Sequence, residues 1–431
     1  MFSIINSKIS TLSMSIGLGK CLQKDMFAEG SLSTLHVDND TDCTVFCGDN
    51  LNHLIGMSEK NLDSIGFCYI DPPYNCGSKF IYNDSRKSPD VGLWGKHSEW
   101  MEFMLPRLVA VHFLLKNSGV IAISIDDYEF PYLKVLMDKI FGEDNFLGNI
   151  VVCRSKNGKG SKKNIAASHE YLVVYGKTNK AKLRGAMDDP EKYNKADKHG
   201  RYRIDGLFRK KGQASLRTDR PNMFYPLYFN EVGEVFLEPE PHLKEVYPID
   251  SKGIERRWLW GRDTAKERAW QLYASPKGTV YVKNYASDEK RIKIRTLWDK
   301  SSYYTECGTK EIKEIYGDKI FDTPKPLEYI KDIIDQMSQP DDLILDFFAG
   351  TGTTAHAAYE LNKADGGNRR VILMESKDLI SENHIAFKSG YKKICEITEQ
   401  RLKYLSCKDS NYTYAVESVS DSLQTAAEAN Y

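Results

Sequence analysis

The residues with chemistry to offer lie in two segments far apart in the chain. The first, "FCYIDPPYNCGS" at residues 67–78, ends an apolar run on an acid, two prolines, a tyrosine and an amide. Proline cannot donate to a sheet ladder and fixes its own φ, so Pro72 and Pro73 end a strand after Ile70 and hold Asp71 and Tyr74 rigidly at its tip. Asp, Pro and Asn are also common turn residues, and a plain turn is the alternative for the tetrapeptide taken alone. The second segment, "LILDFFAGTGTTAHAAYELN" at residues 343–362, places a glycine-rich turn between a strand and a helix-forming run. Gly350 and Gly352 permit close backbone approach, and the following helix offers free N–H groups to a carboxylate or phosphate. Gly350, Gly352 and Ala355 satisfy the G-x-G-x-x-G/A dinucleotide fingerprint, with Glu375 about twenty residues on, where an acid bonds ribose hydroxyls.

Seven short apolar runs read as buried parallel strands, starting at Cys43, Ser64, Gly119, Gly148, Tyr171, Asp342 and Arg370. Helical patterns begin at His97, Tyr128 and Pro326, and the alternation implies a doubly wound α/β sheet. The region between Gly176 and Asp342 lacks this rhythm and is rich in Tyr, Trp, Pro and charge, so it reads as an inserted second module. Only 56 residues follow Glu375, too few for the second half of a dinucleotide fold, so the sheet must assemble in permuted order. With the glycine loop after strand one and Glu375 ending strand two, the five upstream runs supply strands three to seven. That order gathers Asp49, Asp71 and Gly350 at the carboxyl edge, where ligands bind in open α/β sheets. Asp126 and Asp127 read as caps of the helix that follows them.

The 431 residues contain 60 Lys+Arg and 60 Asp+Glu, so affinity for polyanions must come from uneven placement of charge. Residues 151–220 hold 19 basic against 7 acidic side chains. "RSKNGKGSKKN", with Arg154, Lys156, Lys159, Lys162 and Lys163, reads as a mobile basic loop suited to phosphates, or else a solvated linker. Arg209, Lys210 and Lys211 stand among aromatics, consistent with phosphate contact and base stacking or with a snorkelled surface. Nine cysteines with no CxxC pair argue against a disulfide framework or zinc site and for a cytosolic protein, and no metal is expected. The N-terminus reads as neither signal peptide nor membrane span, so no membrane association is expected.

The arrangement of DPPY (Asp71–Tyr74) before, and D-x-F-x-G-x-G-T (Asp346–Thr353) after, a long insertion resembles the β-class amino-methyltransferases of DNA. The likeness runs from about Cys43 to Arg401 and includes "GDN" at 48–50, "ISIDD" at 123–127, "HEYLVVYGK" at 169–177 and "FDTPKPLEYI" at 321–330. Within the class it looks most like the modification subunit of type III restriction systems, though this chain is shorter. The resemblance implies a circularly permuted seven-stranded Rossmann-like sheet. It divides the chain into an N-terminal extension (1–40), a target-base half (41–178), a target-recognition insertion (179–318), a cofactor half (319–407) and a C-terminal tail (408–431). It further implies direct methyl transfer from S-adenosylmethionine to adenine N6 in double-stranded DNA by base flipping, in the cytoplasm, by a homodimer with a possible restriction nuclease partner.

An exocyclic amine is a poor nucleophile because its lone pair is delocalised into the ring. Asp71 and the Pro72 carbonyl, held by Pro73, can accept its two hydrogens and localise that pair, while Tyr74 stacks on the extruded base. By resemblance, Asp346, Phe348, Gly350, Gly352, Thr353 and Thr354 form the cofactor loop. Glu375 binds the ribose and Asp49 the adenine end, and Lys325 joins Thr353 at the methionyl carboxylate, unless Lys325 is a solvated residue at a helix start. Methylation of cytosine N4 or of RNA, a dinucleotide-dependent oxidoreductase and a catalytically idle DNA-binding subunit remain as alternatives.

Overall fold

A computed structural model of the protein describes residues 2–18, 40–58, 61–77, 81, 93–158, 165–287 and 290–418. The chain divides into two compact units, one of Met1–Ala186 with Lys293–Tyr431, the other of Met187–Ile292.

The larger unit is built on a nine-stranded sheet. In chain order its strands are β1 (Cys43–Cys47), β2 (Ile65–Ile70), β3 (Leu115–Ile125), β4 (Phe146–Cys153), β5 (His169–Gly176), β6 (Leu297–Trp298), β7 (Leu343–Asp346), β8 (Arg370–Glu375) and β9 (Tyr414–Ser418). They lie in the order β6-β4-β5-β3-β2-β7-β8-β1-β9. Seven of these are the runs read from the sequence. The structure adds two and changes one direction: β5 runs antiparallel to both β3 and β4, while every other pairing is parallel. Periodicity cannot reveal direction, because a strand buried on both faces reads as the same apolar run either way.

Helices cover both faces. Their labels are α1 (Phe2–Ser15), α2 (Asn50–Met57), α3 (Ser98–Leu114), α4 (Phe130–Phe141), α5 (Thr305–Tyr316), α6 (Leu327–Met337), α7 (Thr353–Asp365) and α8 (Ile394–Lys408). Alternate residues of one strand feed opposite cores: Cys68 and Ile70 pack with α1 to α4, whereas Phe67 and Tyr69 pack with α6, α7 and α8. Helix α6 shows why its segment is helical, since Ile330, Ile333, Ile334 and Met337 recur at turn spacing and are all buried. Burying each contributes about 2 kcal/mol.

Described residues at both ends of the chain pack onto this unit. In α1, Ile5 and Ile9 are buried in the core, and Tyr414–Ser418 pairs with β1 as an edge strand. Asp126 and Asp127 do not cap α4; its N-cap is Glu129, Asp126 accepts from the Tyr128 N–H (3.0 Å), and Asp127 accepts from the Tyr171 hydroxyl (2.9 Å). The smaller unit is narrower than the 179–318 segment, because Leu297–Trp298 joins the main sheet beside β4. It has its own core, in which Phe208 and Trp258 stack at 5.2 Å, and a four-stranded and a three-stranded antiparallel sheet. Among the described residues, no helix is long and apolar enough to cross a membrane.

Candidate active site

Strand register brings the two motifs together. β2 and β7 are parallel neighbours with Phe67 opposite Ile344 and Cys68 opposite Leu345, and continuing that register sets Asp71 beside Phe348. On the other side, β7 pairs with β8 and β8 with β1, Cys47 lying opposite Glu375. Four carboxyl ends therefore carry Asp71, the glycine loop, Glu375 and Asp49 along one edge.

The loop after β2 is braced from behind. The Trp100 indole N–H donates to the Pro73 carbonyl (2.6 Å). Asn75, at φ +54°, donates through its amide to the buried Glu129 (2.6 Å) and to the Lys96 carbonyl (3.1 Å). His97 lies 2.7 Å from the same Glu129 oxygen. Among the described residues no hydrogen bond reaches the Pro72 carbonyl.

Asp71 belongs to a charged cluster that the sequence did not reveal. Its Oδ1 lies 2.6 Å from the Tyr74 hydroxyl and 3.1 Å from the Lys325 ammonium. Lys325, 6% exposed, also donates to the Tyr74 oxygen (2.7 Å) and to both oxygens of Glu170 (2.8 and 2.7 Å). Glu170 is 2% exposed and also pairs with Arg154, whose guanidinium donates to the Thr305 hydroxyl (2.9 Å) as well. Burial raises the Asp71 carboxyl above its ordinary range, with Lys325 pulling it back. Burial also pushes Glu170 upward, but Arg154 and Lys325 together hold it below the usual carboxylate range. Burial raises the Tyr74 phenol well above normal, so it stays protonated and donates.

Two predicted roles change here. Lys325 is neither solvated nor directed at the glycine loop; its ammonium is committed to Asp71, Tyr74 and Glu170. Arg154 is not a phosphate contact, because a guanidinium bound to buried Glu170 and Thr305 is turned into the protein. Glu170 lies within the "HEYLVVYGK" run, where an acid among buried strand residues was the signal that could have identified it.

The glycine loop has the geometry its composition requires. Gly350 (φ +53°) and Gly352 (φ +74°) occupy the left-handed region, and Gly352 caps α7. Asp346, 2% exposed, accepts from the Thr354 hydroxyl (2.5 Å) and the Phe348 N–H (3.1 Å), and burial pushes its carboxyl up to about 7. Glu375 accepts from the N–H groups of Gly350 (2.6 Å) and Ser376 (2.8 Å), and burial pushes it up to about 8. The Thr353 hydroxyl lies 3.1 Å from that of Thr351. Phe348 packs 6.0 Å from Phe103. Asp49 caps α2 through the Asn52 N–H (3.1 Å) and pairs with Arg107 (3.3 Å), its side chain 52% exposed. Arg107 and Asn50, which the sequence reading passed over, tie these ends together: Arg107 donates to Asn50 (2.6 Å), and Asn50 to the Phe347 carbonyl (2.6 Å).

Asp346 and Glu375 are carboxyls driven toward neutrality beside the positive end of a helix. Such groups suit a ligand bearing positive charge and hydroxyls, which would ionise the first and donate to the second. Of the expected DNA contacts, Lys156 and Lys211 are exposed, and Arg209 and Lys210 are half-buried in the smaller unit. Lys159, Lys162 and Lys163 lie outside the described residues.

Comparison with known proteins shows the family. A family model described as DNA methylase matches residues 65–403. The chain is 60% identical over 409 residues to the type II methyltransferase M.KpnI of Klebsiella pneumoniae, covering 95% of this chain and 97% of that protein. It is 32% identical over 392 residues to the type III restriction-modification enzyme EcoPI Mod subunit of Escherichia phage P1, covering 83% of this chain but 61% of that subunit. Among solved structures, the M1.HpyAVI–SAM complex aligns over 84% of this chain and 98% of its own, with a TM-score of 0.39 and 13% identity.

Proposed function

Because the chain belongs to the DNA methylase family, we propose that it transfers a methyl group from S-adenosylmethionine to adenine N6 in double-stranded DNA, as the modification enzyme of a cytoplasmic restriction-modification system. The observation that carries the reading is the pair of acceptors at the end of β2. Among the described residues, Asp71 makes both its contacts through Oδ1, leaving Oδ2 to the target amine, and the Pro72 carbonyl stands next to it in a braced loop.

S-adenosylmethionine, when bound, supplies a methyl carbon made electrophilic by its sulfonium. Asp346, Glu375 and the backbone of Gly350 to Thr354 would hold it, with Asp49 at the exposed rim. Asp71 and Pro72 each accept one hydrogen of the extruded amine, which concentrates its lone pair on nitrogen and fixes its direction. The amine, once methylated, is acidic and sheds its extra proton through the Asp71 side. No strong base is needed. Tyr74, with its hydroxyl pinned, offers its ring face to the base and recovers part of the few kcal/mol spent on extrusion.

The preference for adenine rests on Asp71 opening the DPPY motif, where relatives acting on cytosine often carry Ser. In the sheet order, the late strands β7 and β8 lie between the early strands β2 and β1, which supports a circularly permuted seven-stranded sheet extended at its edges by β6 and β9. Homodimerisation and a nuclease partner belong to the same reading, and the exposed Lys156 and Lys211 would meet phosphates.

Transfer of tritiated methyl to unmethylated duplex DNA, followed by nucleoside mass spectrometry, tests the activity and the base together. Asp71→Ala is expected to lower single-turnover transfer by about 1,000-fold with cofactor affinity kept; normal turnover would refute the assignment. Calorimetric titration with NAD in place of S-adenosylmethionine separates the oxidoreductase alternative.

A further inference from the structure

The quartet of Asp71, Glu170, Arg154 and Lys325, of which Glu170 and Lys325 are buried and the other two half-buried, contains more charge than a plain turn needs. Taking two cations and two acids out of water costs several kcal/mol per ion before pairing offsets it, so the arrangement calls for an explanation beyond stability. Glu170 holds it together, since one oxygen meets both Arg154 and Lys325, the other meets Lys325, and the Tyr74 hydroxyl lies 3.1 Å away. Arg154 is in turn fixed by Thr305 from the start of α5. Four chain segments therefore converge on this carboxylate: β5, the end of β4, the segment before α6 and the loop after β2.

We propose that Glu170 is a positioning residue for methyl transfer: by gripping Lys325 and Arg154 it sets the Lys325 ammonium and the Tyr74 hydroxyl against Oδ1 of Asp71, so that Oδ2 meets the target amine in one orientation. This rests on the assignment of Asp71 above. The Tyr74 hydroxyl has one hydrogen and two carboxylates within reach, and the 2.6 Å contact to Asp71 against 3.1 Å to Glu170 shows which receives it. The ring that would stack on the base is thus oriented by the same anchor that orients the acid.

The groups facing Asp71 are Lys325 and Arg154 among cations, Glu170 and Asp346 among acids, and the phenols of Tyr69, Tyr74 and Tyr329. Removing the Glu170 charge leaves two cations facing Asp71, which eases its ionisation; removing Lys325 leaves acids dominant, which hinders it. A residue acting only on folding would move neither.

The experiment uses the full chain in single-turnover transfer across pH, with S-adenosylmethionine affinity measured by calorimetry and thermal melts recorded in parallel. Glu170→Gln, nearly isosteric, is expected to lower the transfer rate about 100-fold, to leave cofactor affinity within about twofold, and to shift the acid limb of the rate profile to lower pH. Lys325→Met is expected to shift that limb to higher pH. Tyr74→Phe keeps the ring and the fold and is expected to lose about 10-fold, so the proposal is tested even where the charge variants do not fold. Wild-type rates in Glu170→Gln, an unmoved acid limb in both charge variants, or wild-type transfer by Tyr74→Phe would overturn it. Retained turnover in Asp71→Ala would instead overturn the reading beneath it.

Discussion

Asp346 offers a way to measure what the cofactor edge costs the fold. The perturbation is Asp346→Asn, which keeps the acceptor for the Phe348 N–H and places an NH₂ against the Thr354 hydroxyl. That hydroxyl can turn from donor to acceptor, so the local hydrogen bonding survives. What disappears is the ionisable proton. Burial lifts this carboxyl from 3.8 to about 7, so the folded chain holds a proton that the unfolded chain has released. Below about pH 4 both states are protonated and Asp346 imposes no penalty. Between there and about pH 7 the wild type loses stability at about 1.4 kcal/mol per pH unit, and above that range the loss is constant. Over the interval the loss amounts to about 4 kcal/mol. The Asn variant has no such slope, so its advantage over wild type is near zero at about pH 4 and grows to about 4 kcal/mol by about pH 8. Equilibrium urea unfolding of both proteins across that range reads the difference, in which groups that do not sense the Asp346 charge cancel, while Glu375, pushed up in part by Asp346, adds to the effect. The same substitution is expected to weaken S-adenosylmethionine binding about tenfold, because a neutral amide cannot answer positive charge as a carboxylate does. Stability curves that run parallel from acid to neutral pH would refute the reasoning.

Two further outcomes follow from the same edge. Gly350→Ala puts a Cβ on a residue at φ +53° and within 3.5 Å of the Phe321 ring, so it is expected to cost about 1–2 kcal/mol in urea unfolding and to weaken cofactor affinity in calorimetry. Trp100→Phe removes the N–H bound to the Pro73 carbonyl and is expected to cost about 1–2 kcal/mol of stability, with a larger fall in single-turnover rate than in cofactor affinity.

Much of the fold was legible in advance because its signals are local. Runs such as "RVILME" are apolar and β-branched over strand length, and Arg370–Glu375 forms the strand they describe. Pro72 and Pro73 announce a strand end because a missing N–H is a property of the residue itself. The glycine loop was legible for the same reason, Gly350 and Gly352 adopting the positive φ that their composition permits. The reversed β5, the edge strands Leu297–Trp298 and Tyr414–Ser418, and the packed α1 depend on partners far away in the chain, and a two-residue strand such as Leu297–Trp298 carries no periodic signal of its own.

By itself, then, the order of amino acids determined which backbone is stiff, which is permissive, and where apolar faces must be covered, since these follow from each side chain and its near neighbours. Only the tertiary structure decided that Glu170, Arg154 and Lys325 surround Asp71. Glu170 and Lys325 stand 155 residues apart, and a buried charge is stable only where distant strands deliver its counter-ions. Their pairing is a property of the assembled sheet edge, because Coulomb attraction strong enough to select such partners exists only after water has been excluded.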